Sequence, residues 1–292
     1  MTTLTQQKIE ELQYNRQAVD LTVPEENGFR NHLGASQIGH SCDRYLWNVL
    51  HHAFRKRVEA RMVRLWDRGH KEEPRFVRML ESIGIQVKAV DDNGKQFRCK
   101  FSGHGGGSCD GFGFGFPEYP EEWVLLEFKT HGEKSYDQLI KNGVKLSKPL
   151  HYAQMQVYMR QFGVSKAYYM AVNKNTDAIH TEWVYLDEAY ADHQLNRAHG
   201  IIYAEHVPEK ISESSAYYEC RMCDFRPVCF HKEEPNKNCR TCKQVVANED
   251  GTWGCKYNLV QDLDTSNPCS VYEKNDVFVK RADVTISLTL KK

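Results

Sequence analysis

Trp123-Val124-Leu125-Leu126-Glu127-Phe128-Lys129-Thr130 decides how this chain is read. Its apolar density is that of a strand buried in a sheet, and charge placed on a buried strand requires partners. Glu127 and Lys129 lie two residues apart, so on a strand they project to the same side. A surface strand with a local ion pair would explain Glu-x-Lys taken alone, but apolar residues on both flanks weigh against it. Upstream, Asp110 closes the glycine-rich segment Gly103-His104-Gly105-Gly106-Gly107-Ser108-Cys109-Asp110-Gly111 and supplies a second carboxylate. Two carboxylates and an ammonium suit a hard divalent cation, Mg²⁺ or Mn²⁺, with the lysine orienting a water or stabilising charge that develops on a phosphate.

The glycine-rich segment is not a phosphate-binding loop, since it lacks the Lys-Ser/Thr ending and no helical pattern follows it. Ile85 to Val90 and Lys95 to Ser102 read as a hairpin turning at Asn93-Gly94. Further upstream, Thr5 to Asp20 reads as a polar helix, and Ser36 to Phe54 as a helical stretch with Cys42 near its start. From Val58 to Ile83, Met62, Leu65, Trp66, Phe76, Met79, Leu80 and Ile83 recur at helical intervals, with Pro74 expected to break or kink the run. Downstream, Tyr152 to Phe162 is a helix, Lys166 to Asn173 and Ala178 to Tyr185 are paired strands, and Asp187 to Val207 is a long helix. The expected class is α/β (α+β), a central mixed sheet flanked by helices.

Cys220, Cys223 and Cys229 have the spacing C-x2-C-x5-C, which packing does not explain and a metal centre does. Cys42, in Ser41-Cys42-Asp43-Arg44-Tyr45-Leu46-Trp47, is the natural fourth thiolate, and four thiolates suit zinc and iron–sulfur equally. After the polar break Glu233 to Asn238, Cys239, Cys242, Cys255 and Cys269 form a second set. The Cys239-Arg-Thr-Cys242 knuckle, with Gly251-Thr-Trp253-Gly-Cys255 returning toward it, predicts a small zinc-ribbon-like module, in which His231 is the alternative to Cys269 as the fourth Zn²⁺ ligand. Val277 to Lys292 alternates apolar and polar residues as an edge strand would. The expected division is 1–35 as a helical extension, 36–232 as the main domain and 233–292 as the cysteine-rich module and tail.

Lys+Arg and Asp+Glu both number 39, so there is no bulk attraction to nucleic acid and any basic surface must be local. No apolar run reaches membrane-span length and no signal-peptide core opens the chain, so no membrane is expected as a partner and the location expected is cytoplasmic, the host cytoplasm if the protein is viral. Disulfides fit small secreted chains better than this one. Cys99 and Cys109 read as ordinary buried thiols.

Taken together, these motifs resemble the PD-(D/E)xK nucleases, in particular the RecB-like branch in which an iron–sulfur cluster staples the nuclease domain. Asp110 and Glu127-Phe128-Lys129 match its central motif, and Gln154-Met-Gln-Val-Tyr158 matches its Gln-x-x-x-Tyr helix. One cysteine ahead of the core and three after it is the arrangement of the CRISPR-associated iron–sulfur exonucleases and the AddB nuclease domain. The resemblance covers roughly residues 36 to 231 and suggests a phage-type member. Two positions depart from the pattern. Cys109 stands where proline is usual, although Gly107-Ser-Cys-Asp110 keeps Gly-x-x-Asp. Four residues after Gly69 comes Glu73 rather than histidine, as in the lambda-type phage exonucleases, with His70 and Glu72 as rivals.

The resemblance implies a restriction-endonuclease-like core, a [4Fe–4S] cluster on Cys42, Cys220, Cys223 and Cys229, and Mg²⁺ or Mn²⁺ held by Glu73, Asp110, Glu127 and the Phe128 carbonyl. Lys129 would activate water, while Gln154 and Tyr158 would orient Lys129 or touch the strand being cut. The implied activity is a metal-dependent deoxyribonuclease, an exonuclease before an endonuclease, acting on single-stranded DNA or duplex ends in recombination, repair or phage DNA processing, with a recombination or replication protein as partner. The alternative is a non-catalytic DNA-binding or assembly subunit that keeps the fold and the cluster. An electron-transfer protein would leave Asp110, Glu127 and Lys129 without a role.

Overall fold

The computed structural model describes residues 31–54, 60–266 and 268–275. The helix expected over Thr5 to Asp20, the start of the Val58 run and the strand expected over Val277 to Lys292 lie outside these residues. The strands are β1 Leu33–Gly34, β2 Gln86–Lys88, β3 Arg98–Phe101, β4 Gly105–Ser108, β5 Gly111–Phe116, β6 Tyr119–His131, β7 Lys166–Asn173, β8 Ile179–Tyr185, β9 Val245–Ala247 and β10 Trp253–Cys255. The helices are α1 Asp43–Leu50, α2 Ala60–Ser82, α3 Glu133–Ser147, α4 Pro149–Phe162, α5 Glu188–Ile202, α6 Tyr218–Met222 and α7 Arg226–Phe230.

The central sheet is mixed, in the order β2-β5-β6-β7-β8. Within it only β6 and β7 run parallel, with Glu127 opposite Tyr169 and Lys129 opposite Ala171. A parallel pair needs a crossover, and α3 with α4 provides it. The alternation of β6 divides its side chains between two cores. Val124, Leu126 and Phe128 join Phe76 and Leu80 of α2 on one face. Leu125 joins Met155 and Tyr158 of α4, Tyr169, and Leu46 and Leu50 of α1 on the other. Helices therefore cover both faces, and β6 is buried over residues 124–128, while Trp123 at the start of the apolar run is exposed. No helix among the described residues is long and apolar enough to cross a membrane.

One local expectation is corrected and a second is narrowed. The turn at Asn93-Gly94 forms, with Gly94 N–H donating to the Asp91 carbonyl at 2.9 Å, but its two arms do not pair with each other. Instead β2 pairs with β5, and β3 pairs with β4 in a separate sheet, β1-β4-β3. Each arm finds a longer-range partner that the local turn signal cannot reveal. Pro74 does not end α2, which runs from Ala60 to Ser82 through it. An interior proline costs about 3 kcal/mol and leaves the carbonyl four residues earlier without its helical donor; burial of Phe76 and Leu80 against the sheet offsets this.

The cysteine-rich segment is tied closely to the rest. Its hairpin, β9 with β10, carries Trp253, 5% exposed, into the same core as Leu33 and Leu46. Asn236 N–H donates to the Ala53 carbonyl at 2.8 Å. The Asn238 side-chain amide donates to the His52 carbonyl at 3.3 Å. The described residues beyond 232 thus carry a hairpin whose Trp253 completes the main core.

Candidate active site and cysteine clusters

Asp110 sits between β4 and β5, where Gly111 takes φ +136°, a conformation open to glycine and strained for other residues. That turn aims the Asp110 carboxylate at β6, where Oδ2 accepts the Phe128 backbone N–H at 2.6 Å. Glu127 is fully buried, and Oε1 accepts from Lys129 Nζ. Lys129 Nζ also donates to the Phe128 carbonyl at 3.1 Å, and its side chain keeps a quarter of its surface exposed. Glu127 Oε2 has no hydrogen-bond partner among the described residues.

Burial pushes the Glu127 carboxyl above its ordinary range; Lys129 opposes this, and the neighbouring charges of Asp110 and Glu73 add to it. Desolvation would lower the Lys129 ammonium, but Glu127, Asp110 and Glu73 outweigh it and hold the lysine above its usual value. Glu73 itself is raised by burial and by Asp110, tempered by His70 and Lys129. The fold therefore gathers Glu73, Asp110, Glu127 and Lys129 into one electrostatic group. Glu72 is engaged elsewhere, accepting from Arg75 Nη1 with both oxygens at 2.9 Å. On α2, Glu73 feels the charge of Asp110, and His70 lies near enough to temper it.

Among the described residues, no group of three His, Cys, Asp or Glu side chains is gathered tightly enough to hold a metal ion as it stands. The donor set nonetheless fits a hard cation: three carboxylates repel one another, and one buried carboxylate oxygen lacks a partner. A buried orphan acceptor costs about 1–3 kcal/mol unless something satisfies it.

Gln154 and Tyr158 lie one helical turn apart on α4, and Gln154 Nε2 is 3.4 Å from the Tyr158 hydroxyl. Tyr158 donates to the Ser108 carbonyl at 2.7 Å and is 2% exposed. Its observed partner is thus the strand leading to Asp110 rather than Lys129. Gly107 makes this approach possible, because a Cβ there would stand 2.5 Å from the Tyr158 oxygen.

One polar cluster beside the site was not anticipated. The Tyr169 hydroxyl lies 2.8 Å from His131 Nε2 and 3.0 Å from His151 Nδ1. Burial, then Lys148, Lys129 and Lys174, depresses His131 to about 4. The signal was present in β6, where His131 continues the two-residue period of Glu127 and Lys129.

Cys42 is the N-cap of α1, as its position near a helix start suggested. Cys42, Cys220, Cys223 and Cys229 line one cavity together with Arg44, Asn48 and Phe225. Phe225 N–H points at Cys223 Sγ at 3.4 Å, and Asn48 Nδ2 at Cys229 Sγ at 3.8 Å. Burial raises the Cys229 thiol to about 11. Cys239, Cys242, Cys255 and Cys269 line a second cavity, and His231 is not among its lining residues. No disulfide joins any of the ten cysteines, and Cys99 and Cys109 are buried apart from both sets.

No protein-family profile and no curated protein matches the sequence. Among solved structures, the chain is similar to SSO0001, at 14% identity and a TM-score of 0.43, over 76% of this chain and 96% of that one. It is also similar to LHK-Exo in complex with dAMP, at 15% identity and a TM-score of 0.42, over 59% of this chain and 86% of that one. A second LHK-Exo structure, described as an alkaline exonuclease from Laribacter hongkongensis, matches at 16% identity and a TM-score of 0.38.

Proposed function

We propose that this protein is a metal-dependent DNA nuclease, acting as an exonuclease on DNA ends in recombination, repair or phage DNA processing. The observation that carries the reading is the fully buried Glu127, with one oxygen on Lys129 and the other without a partner, beside Asp110 and Glu73. A purely structural ion pair would not add two further carboxylates to a site that already disfavours negative charge. Glu73, Asp110 and Glu127, with the Phe128 carbonyl, are the groups that would hold Mg²⁺ or Mn²⁺. That ion supplies Lewis-acid stabilisation of charge developing on the phosphate.

The chain's own residues do the positioning. Asp110 is fixed by the Phe128 amide, and Tyr158, supported by Gln154, holds Ser108 two residues before it. Lys129, its side chain a quarter exposed, holds its ammonium on Glu127 and the Phe128 carbonyl, a place suited to orienting a water against the phosphate. The four cysteines around Cys42 fit a [4Fe–4S] staple, since they share one cavity and two of the sulfurs receive N–H groups, as cluster thiolates do. DNA is the proposed partner, and a recombination or replication protein a further one.

The test is cleavage of end-labelled single- and double-stranded DNA by purified protein with Mg²⁺, Mn²⁺ or EDTA. We expect metal-dependent release from the ends, with Lys129→Ala slower by at least about a hundredfold. Wild-type rates in Lys129→Ala would overturn the mechanism, and absence of cleavage with retained DNA binding would favour the non-catalytic reading. Anaerobic purification should give brown protein with about four irons per chain. A colourless, iron-free preparation would remove the cluster from the proposal.

A further inference from the structure

Arg240 lies within the Cys239-Arg240-Thr241-Cys242 knuckle and is only 2% exposed. Among the described residues, the guanidinium bonds only to neutral or ring partners. Nη1 meets the Leu50 carbonyl at 3.2 Å and His52 Nε2 at 3.1 Å. Nη2 meets Asn31 Oδ1 at 2.9 Å, and Nε meets Thr265 Oγ1 at 3.1 Å. The guanidinium carbon also stands 4.7 Å from the Trp253 ring centroid. No carboxylate among the described residues forms an ion pair with it. A buried cation without a counter-charge is expensive, so its place depends on the bonds to Leu50, His52, Asn31 and Thr265 being kept in register.

Its neighbours in the chain belong to a different cavity, of whose lining Arg240 is not a part. Cys239 and Cys242 bracket Arg240, Cys255 ends the strand that carries Trp253, and Cys269 completes the lining of the same cavity. Backbone bonds frame the set: Cys242 N–H donates to the Cys239 carbonyl at 3.1 Å, and Cys255 N–H to the Val260 carbonyl at 2.9 Å. Four thiolates around a divalent ion leave a net charge of about −2.

We infer that Cys239, Cys242, Cys255 and Cys269 hold one structural Zn²⁺, and that the zinc-bound knuckle locks Arg240 onto the C-terminal end of α1. Zinc suits an all-thiolate set built on a C-x2-C knuckle and a return hairpin. The segment has little apolar core of its own beyond Trp253, so binding the ion also folds it. Arg240 then caps a last-turn carbonyl of α1, where the helix dipole favours a cation. The inference is independent of cleavage activity and of the iron–sulfur reading.

Metal analysis of the full-length protein, paired with amide hydrogen exchange over Asp43–Leu50, tests it. Wild-type protein should contain about one zinc per chain. Cys242→Ser and Cys255→Ser should lose the zinc and exchange the α1 amides roughly tenfold faster. Arg240→Met should keep the zinc yet show the same acceleration, with Arg240→Lys in between because it retains charge but not the planar fork. Should the serine variants not fold, chelator titration of the wild type read by α1 exchange, together with Arg240→Met, decides the matter. A zinc-free wild type, iron in place of zinc at these cysteines, zinc retained in both serine variants, or α1 exchange unaffected by zinc removal would each overturn the inference.

Discussion

At the scale of single residues, Glu127 is placed at a cost to the fold. Its carboxyl is pushed up to about 7, chiefly by burial, from an ordinary value of 4.5. The folded state therefore binds this proton more tightly than the unfolded chain, and the corresponding stability is present below 4.5 and lost as pH rises toward 7. Glu127→Gln removes that loss. Metal-free Glu127→Gln should be about 2 kcal/mol more stable than wild type at pH 8, and the difference should vanish by about pH 4. Its metal-dependent cleavage should fall by at least about a hundredfold, since a ligand is gone. Melting curves of both chelated proteins at the two pH values, with cleavage rates beside them, check this; equal melting at every pH would contradict the burial argument. On α2, Glu73→Ala should abolish cleavage and Glu72→Ala should not, because Glu72 is spent on Arg75. Glu127 and Lys129 stand out in the sequence because charge in an apolar run is unusual, and the fold brings Asp110 from the glycine-rich segment to the Phe128 amide beside them. Tyr169 and His151 do not stand out, since nothing local says that their side chains meet His131 across the sheet.

Among the elements, those with dense periodic burial were readable and those defined by distant partners were not. β6, β7, β8 and α4 lie close to where their apolar patterns put them. α3 escaped notice because its buried side is thin, with Tyr136, Leu139 and Val144 inside while Ile140 and Leu146 face out, and Gly143 leaves helical geometry within it. The glycine-rich stretch supplies strand β4, and that use depends on a contact from α4. Tyr158 reaches the Ser108 carbonyl only because Gly107 has no side chain. Gly107→Ala should push the tyrosine away, costing about 1–3 kcal/mol of stability. It should also slow cleavage more than it weakens DNA binding, as Asp110 loses its support. Pairing Gly107→Ala with Tyr158→Phe checks the route: if the tyrosine hydroxyl is the element displaced, the double variant should be clearly less damaged than the sum of the single ones.

For the whole molecule, the spacing of the cysteines revealed two four-thiol sets but not how the second set is joined to the rest. Sequence separation suggested an appended module after Lys232. In the fold, Trp253 fills the core beside Leu33 and Leu46, and Arg240 and Asn236 bond the chain around α1 at Leu50 and Ala53. α1 begins at Cys42 and ends at the Arg240 contact, so one short helix spans from the first cysteine cavity to the second module. Cutting the chain after Lys232 removes the indole, the guanidinium and the amide contacts together. It leaves His104, which packs against Trp253 and donates from Nε2 to the Asn248 carbonyl, facing water from a site built to be buried. Loss of a buried tryptophan alone costs about 3–5 kcal/mol, and the capping bonds add about 1 kcal/mol each. Against a typical net stability of about 5–15 kcal/mol, the truncated protein should melt at a markedly lower temperature or fail to fold, although every proposed catalytic residue is retained. Thermal denaturation of full-length, truncated and Trp253→Ala proteins measures this, with Trp253→Ala falling between the other two. A truncated chain that melts like the full-length protein would show that residues beyond 232 decorate the core instead of completing it.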